Sequence, residues 1–499
     1  MAPPTDIDIA ATVCVVGSGA GGATVAKELA EKGVDVVVLE MGEHHKPADF
    51  TQREDTCMPR LFQRAGATGN RDLSVIVMMG HGVGGSTVHN GCLCYRPPDA
   101  ILGRWAKEYG VRDLSPADLR PYVDRVERNI GVNQIPEHMV NANNDALRRG
   151  TTALGWKGHV PRHNRIECVG CGYCTLGCAY NRKQSMLITT IPKAISRGAR
   201  VLSRVRVETI LRDGNGVAGV EGTTVDERGE PAGRIRVAAK RVVVSAGGVG
   251  SAALLLRNGI AEGTAGRTLH IHPALPVGAV YDAFIDAFRG TPQTWVCDEF
   301  AHFYRDGYGG YLIMAQSATP GMTATLVPGI GPALTRAMRE YCRIAAGSAM
   351  IHDETNGRIT VDRNGKWAID YWPDERDRRE LVEGAKRCAE AYLASGAREV
   401  FLPTSEPASV TSTKDLGLFD EIDFAPHKVN VAAVHPQSSV PMGEDRTRCA
   451  VDSYGESHEV SGLFVSDMSV FPTSVGVPPQ ITTQALAART ADYIHAKRS

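Results

Sequence analysis

The 499-residue sequence has almost no net charge and no long apolar run. Its 55 Lys and Arg residues against 56 Asp and Glu residues leave a formal charge of -1, which gives no electrostatic attraction for nucleic acid. No stretch reaches the roughly 18 consecutive apolar residues of a transmembrane helix. The N-terminus lacks the charged and apolar regions of a secretory signal. We therefore expect a cytoplasmic protein that neither binds nucleic acid nor spans a membrane.

Internal repeats and low-complexity tracts are also absent, which disfavours a modular binding array. With 43% hydrophobic and 22% charged residues, the composition is that of an ordinary globular protein. The chain is too long for one simple core, so two domains are expected. Its 12 cysteines would stay reduced in the cytoplasm, where clustered cysteines indicate metal binding or chemistry.

The first motif is a glycine-rich turn between an apparent strand and a helix. An apolar run at 13–16 is followed by Gly17, Gly19 and Gly22 in G-x-G-x-x-G spacing, and a second apolar run ends at Glu40. These glycines let the backbone turn tightly and approach a pyrophosphate at the helix N-terminus. The Glu40 carboxylate is placed to accept hydrogen bonds from a ribose. The pattern predicts a dinucleotide site but does not separate FAD from NAD.

A second glycine-rich loop covers residues 80–91 and contains Gly84 and Gly85. It lacks the flanking strand and helix of a phosphate-binding loop. Its glycines would let the backbone lie close to a planar ligand, and His89 and Asn90 would supply polar contacts. The alternative is a tight surface loop.

Four blocks in this order resemble the glucose-methanol-choline oxidoreductases, a family of FAD enzymes. They are residues 17–40, 80–91, 242–256 and the paired segments 435–443 and 462–472, so the resemblance covers essentially the whole chain. It implies an α/β fold with a Rossmann-like FAD-binding domain containing a βαβ unit, and a substrate or cap domain built on an antiparallel sheet. The implied layout is FAD binding at 1–100, 186–273 and 430–499, connecting helices and cap at 101–167, a Cys-rich loop at 168–185 and the substrate-binding cap at 274–429.

The resemblance also implies which residues bind FAD. Asn90 would lie at the flavin ring, Val207 near the adenine and Asp467 near the flavin tail. In some members a histidine at the position of His89 is joined covalently to the flavin, and the alternative is a packing histidine. The complete predicted set is Gly17, Gly19, Gly22, Glu40, Gly84, Gly85, His89, Asn90, Val207, Ala246, Gly247, Asp467 and Gln480.

A cysteine run, Cys168, Cys171, Cys174 and Cys178, has the C-x2-C-x2-C-x3-C spacing of bacterial iron–sulfur proteins, with Ala179 in place of the usual proline. Three alternatives stay open: an iron–sulfur cluster (4Fe-4S or 3Fe-4S), zinc, or free thiols in a tight loop. Zinc normally draws its ligands from two separated pairs. In ferredoxins the fourth cysteine of such a run serves a second cluster, and no second run exists here.

Two segments, 180–202 and 266–273, resemble the long-chain alcohol oxidase branch of the family. Within the second, His270 and His272 alternate, so only one can face a given side, and a structural role is expected for both. From residue 274 the chain departs from the family blocks. Its β-rich runs predict an antiparallel sheet, 380–393 an amphipathic helix, and 319–331 a lid loop.

The resemblance makes His435 the active-site histidine, and its role would be to remove the hydroxyl proton as hydride leaves the carbon. Relatives carry a second active-site Asn or His where this chain has Pro478, and Ser438 and Ser439 also depart from them. Loss of one hydrogen bond to a developing alkoxide costs on the order of 2–4 kcal/mol.

We expect an FAD-dependent dehydrogenase acting on a hydroxylated small molecule, an apolar, cyclic or long-chain alcohol. Its electrons would pass through the iron–sulfur cluster to a protein or quinone acceptor. The alternatives are a flavin-bound lyase and a flavin-binding scaffold without catalysis.

Overall fold

The computed structural model describes residues 6–497, so residues 1–5 of the N-terminal segment discussed above and residues 498–499 lie outside the described range. Two large β-sheets dominate the fold. The strands are β1 (Ile7–Val16), β2 (Val36–Leu39), β3 (Val75–Val77), β4 (Asn133–Gln134), β5 (Gly158–His159), β6 (Arg162–His163), β7 (Arg200–Leu202), β8 (Val205–Asp213), β9 (Gly216–Val225), β10 (Pro231–Val244), β11 (Ala274–Val280), β12 (Val296–Cys297), β13 (Tyr311–Ala315), β14 (Ile344–Ile351), β15 (Arg358–Val361), β16 (Trp367–Asp370), β17 (Glu399–Phe401), β18 (Ser409–Val410), β19 (Val431–Ala433) and β20 (Leu463–Val465).

Helices surround both sheets. They are α1 (Ala20–Glu31), α2 (Glu54–Leu61), α3 (Asp99–Tyr109), α4 (Pro116–Asn129), α5 (Ala142–Ala153), α6 (Thr190–Ser196), α7 (Gly247–Arg257), α8 (Phe303–Asp306), α9 (Pro320–Leu326), α10 (Pro332–Arg339), α11 (Glu375–Ala394) and α12 (Gln480–Ala496). Across residues 6–497, none of them combines the length and apolarity needed to cross a bilayer.

The first sheet has the strand order β7-β2-β1-β10-β9-β8, and β20 also pairs with β10. The pairs formed by β7, β2, β1, β10 and β20 are parallel, whereas β8, β9 and β10 form an antiparallel meander. β2 is fully buried and entirely apolar, as expected for a parallel strand covered on both faces. The β1–α1–β2 unit confirms the predicted Rossmann-like fold.

α1 and α12 together cover one face of this sheet. Val25 and Leu29 of α1 and Ile494 of α12 pack in one core cluster with the alternate strand residues Val13 and Val15. The C-terminal helix therefore completes the N-terminal βαβ unit, and this brings the last family block next to the first.

The second sheet has nine strands in the order β18-β17-β11-β14-β13-β12-β5, with β19 pairing with both β11 and β3. Its pairs are antiparallel except for β19 with β3, so the predicted antiparallel cap sheet is confirmed. β3 and β19 come from 1–100 and 430–499, the segments predicted to bind FAD. These two strands therefore join the predicted FAD-binding segments to the second sheet.

Two predicted elements differ in detail. α11 begins at Glu375, before the predicted residue 380, because the Asp374 side chain accepts a hydrogen bond from the backbone N–H of Asp377 and caps the helix. The predicted lid loop contains α9, which begins with Pro320 at its first position, where proline is favoured.

Candidate active site

A cavity of about 1130 Å³ lies between the two sheets. One side is formed by the two glycine-rich loops, the start of α7 and the start of α12. The other side is formed by β11, β13 and β14. This volume is slightly above the roughly 300–1,000 Å³ typical of ligand pockets, as expected for a site that holds a dinucleotide together with a substrate.

The two glycine-rich loops form one cradle. The Ser18 hydroxyl donates to Glu40 Oε2 at 2.7 Å and accepts a hydrogen bond from Gly84 N at 3.0 Å. Gly19 and Gly85 face each other so closely that a Cβ on Gly85 would lie 2.8 Å from Cα of Gly19. Only glycine fits at Gly85, which is why two loops distant in sequence can meet along one ligand.

The N-terminus of α1 opens onto this cradle. Gly19, Ala20 and Gly21 line the cavity, and the helix has no side-chain cap. The first N–H groups of a helix have no acceptor within the helix and attract phosphate. The residues present therefore fit the pyrophosphate of a dinucleotide cofactor.

Glu40 lies on the cavity wall, but its carboxylate is already bonded to its own chain. Oε2 accepts hydrogen bonds from both the backbone and the hydroxyl of Ser18, and Oε1 accepts one from Gly42 N at 2.9 Å. Because each carboxylate oxygen has two lone pairs, Oε1 keeps acceptor capacity toward the cavity.

Asn90 is held by both ends of its side-chain amide. Its Nδ2 donates to Gln480 Oε1 at 3.1 Å, and its Oδ1 accepts from Cys92 N at 3.1 Å. Gln480 in turn donates from Nε2 to the Leu93 carbonyl at 2.6 Å. Asn90 is thereby fixed at the cavity wall by the start of α12.

Asp467 orients the start of α7 in the same way, since its Oδ2 accepts hydrogen bonds from Gly247 N at 2.8 Å and from the Ser251 hydroxyl at 2.6 Å. Gly22 and Gly84 lie behind the cavity wall, where they allow close backbone packing. The other predicted cofactor residues line the cavity: Gly17, Gly19, Glu40, Gly85, His89, Asn90, Val207, Ala246, Gly247, Asp467 and Gln480.

His89 is a buried histidine on this wall, with its ring centroid 4.0 Å from that of Phe62. Its Nε2 is buried and has no hydrogen-bond partner among the described residues. Burial, together with the charge of Lys183, lowers the pKa of His89 to about 3, so the ring is neutral. Covalent attachment of the flavin here stays a prediction.

The four cysteines of the predicted cluster lie in one region but are not arranged as metal ligands. Within residues 6–497, no three His, Cys, Asp or Glu side chains are placed to hold a metal ion, so these residues do not fit an iron–sulfur cluster or zinc in this arrangement. A hydrogen bond from Cys92, together with the charges of Arg165 and Lys183, holds the pKa of Cys174 well below its usual value. The other contacts found are Cys168 Sγ to Thr291 Oγ1 (3.6 Å), Cys174 Sγ to Arg165 Nη2 (3.7 Å), and Cys178 Sγ to the backbone N atoms of Arg182 (3.3 Å) and Lys183 (3.5 Å).

The Cys-rich segment instead supports the Asn90 loop from behind. Lys183 Nζ donates to the carbonyls of Val88 at 2.9 Å, Asn90 at 2.8 Å and Cys174 at 2.6 Å. Arg165 Nη2 donates to the carbonyl of Gly91 at 2.7 Å. Nothing in the local sequence identified these two buried cations, because, apart from the Cys174 carbonyl, the backbone carbonyls that they contact lie 74 to 127 residues away.

His435 lines the cavity beside a second histidine, His272. The two Nδ1 atoms are 3.3 Å apart, and His272 Nε2 accepts a hydrogen bond from Gly476 N at 2.9 Å. Burial lowers the pKa of His435 to about 4 and that of His272 well below its usual value, so both rings are neutral. Pro478, which lines the same cavity, has no polar side-chain atom to offer His435.

The alternation of His270 and His272 determines which of them reaches the site. His270 Nδ1 lies 3.8 Å from Asp353 Oδ2, and His270 does not line the cavity, whereas His272 does. A structural role was expected for both histidines, but His272 lies on the cavity wall next to His435. The His-x-His pattern indicated that only one of the two histidines could face the cavity, but it could not show which one.

Alternate residues of three neighbouring strands form the opposite wall. Met350 and Ser348 of β14 face the cavity, as do Met314 of β13 and Gln316 just after it. Side-chain hydrogen bonds on this wall run from Gln293 to Gln316 at 3.3 Å and from Gln316 to Ser348 at 3.0 Å. Eight of the chain's 13 methionines line the cavity, namely Met41, Met58, Met78, Met79, Met314, Met322, Met350 and Met468.

Glu54 fastens the predicted lid at the cavity edge. Its carboxylate accepts hydrogen bonds from the Thr319 hydroxyl, from Gly321 N at 2.7 Å and from Met322 N at 3.0 Å. Glu54, Gly321 and Met322 all line the cavity. One carboxylate on α2 thus holds the start of α9 over the pocket.

Comparison with known proteins gives matches along the whole chain. The N-terminal and C-terminal GMC oxidoreductase family models match residues 58–274 and 353–487, and an NAD(P)-binding Rossmann-like domain model matches 15–45. An uncharacterized GMC-type oxidoreductase of Mycobacterium tuberculosis is 33% identical over 98% of this chain and 76% of its own. A long-chain-alcohol oxidase of Arabidopsis thaliana is 28% identical over 95% of this chain and 66% of its own.

Solved structures share the fold at low sequence identity. Pyridoxine 4-oxidase from Mesorbium loti superposes with a TM-score of 0.69 at 18% identity, covering 97% of this chain and 99% of its own. A formate oxidase of Aspergillus oryzae, studied for modification of its FAD, gives a TM-score of 0.71 at 15% identity, covering 98% and 99%.

Proposed function

The chain belongs to the glucose-methanol-choline oxidoreductase family, and on this premise we propose that it is an FAD-dependent enzyme that oxidises the hydroxyl group of an apolar alcohol. The observation that carries the proposal is one cavity that joins a dinucleotide cradle to a neutral histidine, His435, beneath an apolar wall. The predicted cofactor-binding residues are proposed to hold FAD in that cradle.

Different groups of the chain bind the cofactor and contact the substrate. The cradle and the N-terminus of α1 bind the pyrophosphate, and Asn90 is fixed at the wall where the resemblance puts the flavin ring. When bound, FAD supplies the acceptor for the hydride that leaves the carbinol carbon. His435 contacts the reacting oxygen, and its removal of the hydroxyl proton stays a prediction.

The methionine-rich wall supports the substrate class. Methionine side chains are flexible and polarizable, so they fit apolar molecules of differing shape. The long-chain-alcohol oxidases among the relatives support the same class, and we propose a long-chain or cyclic apolar alcohol. The Gln316–Ser348 pair would then contact the small polar part of such a molecule.

An iron–sulfur relay is not part of the proposal, because within residues 6–497 the cysteines do not form a group that could hold a metal ion. No particular electron acceptor is proposed. The lyase alternative rested on Pro478, which removes one polar group from the site. His272 gives His435 a polar neighbour, but its two ring nitrogens contact His435 and Gly476 and so do not replace the missing contact to substrate. We prefer oxidation because the relatives include long-chain-alcohol oxidases.

The test is a panel of alcohols of increasing chain length, offered to the FAD-loaded protein with an artificial electron acceptor while the carbonyl product is measured. We expect KM to fall with chain length. Met314→Gln should raise KM for the long alcohols, since it puts an amide on the apolar wall, and Met338→Gln outside the cavity should not. A preference for short polar alcohols would contradict the substrate class, and cleavage products formed without any acceptor would show lyase chemistry.

A further inference from the structure

The proton positions on the two facing histidines follow from their hydrogen bonds. Gly476 N can only donate, so His272 Nε2, 2.9 Å away, must carry a lone pair. A neutral imidazole has one N–H, so the proton of His272 is on Nδ1. That proton points at His435 Nδ1, 3.3 Å away, which must then be the acceptor.

We infer that His272 is a positioning residue that holds His435 in the Nε2–H form, so that the resting enzyme presents an N–H donor to the cavity. His435 Nε2 has no hydrogen-bond partner in the part of the chain that the structure describes, which leaves it free for a substrate oxygen. His272, two residues before β11, thus gives His435 a polar neighbour, which Pro478 cannot do.

The arrangement is held from behind by Asp353. Its carboxylate accepts hydrogen bonds from the backbone of Ile271 at 2.8 Å and of His272 at 3.1 Å. It also accepts them from the hydroxyl of Ser474 at 2.9 Å and of Tyr371 at 3.0 Å. One buried carboxylate therefore fixes both the segment before β11 that carries His272 and the loop that leads to Gly476.

This geometry bears on the role of His435. The opposite form, with a lone pair on Nε2, needs its proton on Nδ1, and His272 would then need its own proton on Nε2, directed at the N–H of Gly476. Protonation of His435 on both nitrogens would bring two N–H groups face to face at His272. The resting pair is therefore arranged to donate a hydrogen bond from His435 Nε2 to the oxygen of a bound alcohol or of its carbonyl product. Removal of the hydroxyl proton by His435 first requires both rings to change to the opposite form, with loss of the hydrogen bond from Gly476 N. This consequence for the substrate rests on the proposed function, whereas the proton positions do not.

The test is NMR of protein labelled with ¹⁵N in the histidine rings, recorded at neutral pH without substrate, because the couplings between ring nitrogens and carbon-bound protons distinguish the two forms. The His435 and His272 signals are identified from their loss in His435→Gln and in the variants below. His458 is an internal reference, since its Nε2 lies 2.8 Å from the Gly443 carbonyl and must carry the proton in every variant.

We expect the Nε2–H form at His435 and the Nδ1–H form at His272. His272→Leu removes the donor and should turn His435 into a mixture of forms, whereas His272→Asn keeps an amide N–H near His435 Nδ1 and should preserve Nε2–H. An Nδ1–H form at His435 in the unsubstituted protein would overturn the inference, as would an unchanged signal in a folded His272→Leu variant. Because no turnover is involved, failure here is distinct from failure of the proposed activity.

Discussion

Replacing Gly19 by alanine should weaken FAD binding while leaving the stability of the apoprotein nearly unchanged. A Cβ at this position would meet no protein atom closer than 3.9 Å, and the backbone there is extended, with φ of -68° and ψ of -163°. Alanine therefore fits the chain itself. The space that it would fill lies at the uncapped N-terminus of α1, where we place the pyrophosphate.

The expected loss of FAD affinity follows from the hydrogen bonds at stake. A hydrogen bond to a charged group contributes about 1.5–3 kcal/mol. If the methyl group displaces the phosphate from one backbone N–H, Kd should rise about 10- to 150-fold. The stability of the apoprotein should fall by no more than about 1 kcal/mol, the cost of exchanging glycine for alanine before a helix.

Gly33→Ala is the matched control. Gly33 has φ of +73°, and a Cβ there would meet no atom within 4 Å, so alanine costs about 1–2 kcal/mol of stability without touching the cavity. Titration of apoprotein with FAD, followed by flavin fluorescence, gives Kd for each variant, and urea unfolding gives stability. The reasoning is refuted if Gly19→Ala binds FAD as tightly as the unsubstituted protein, or if the control loses as much affinity.

Three further predictions follow from the site. Glu54→Ala should free the start of α9 and speed proteolysis within 319–331, whereas Glu375→Ala on the exposed start of α11 should not; equal rates would show that Glu54 does not hold the lid. Anaerobically purified protein should contain substoichiometric iron, since within residues 6–497 the thiols are not arranged as metal ligands; stoichiometric iron and sulfide lost in Cys171→Ser would show that they bind a cluster. The free energy of unfolding should fall as the pH drops from about 6.5 toward 4. In that range the histidines bind protons in the unfolded chain but stay neutral in the folded one. Three buried carboxyl groups have the opposite effect, because burial raises the pKa to about 6 at Asp353 and Asp377 and to about 7 at Glu380, so the folded chain binds their protons first. They offset the histidine effect only in part, and equal free energies of unfolding in urea at about pH 5 and about pH 7 would contradict the prediction. The histidines whose pKa burial lowers to about 3 or 4 are His89, His163, His270, His352 and His435.

The parts of the site that the sequence predicted are those with a local signal. Gly17, Gly19 and Glu40 belong to one strand–turn–helix–strand unit whose spacing has a direct geometric meaning. The second sheet was also predictable, because its strands are apolar runs between turns. His435 was found through its family block.

What the sequence could not predict depends on register between distant strands. Whether Met350 faces the cavity is decided by its pairing with Ala274, 76 positions earlier in the chain. A different pairing, of Ala274 with Ala432 of β19, together with the bridge between His270 and Gln437, brings His272 to His435. For the cysteine run, the sequence predicted a site that the structure does not support. Its spacing is compatible with a cluster, yet spacing alone does not show whether the four thiols meet around one point, and in the described part of the chain they are not arranged to hold a metal ion.

The most direct test of the central claim is the absorption spectrum of the FAD-loaded protein when an apolar alcohol is added in the absence of oxygen. The account predicts that the oxidised-flavin band bleaches as the alcohol becomes its carbonyl product. A band that persists with every alcohol offered, in protein that has bound FAD, would contradict it.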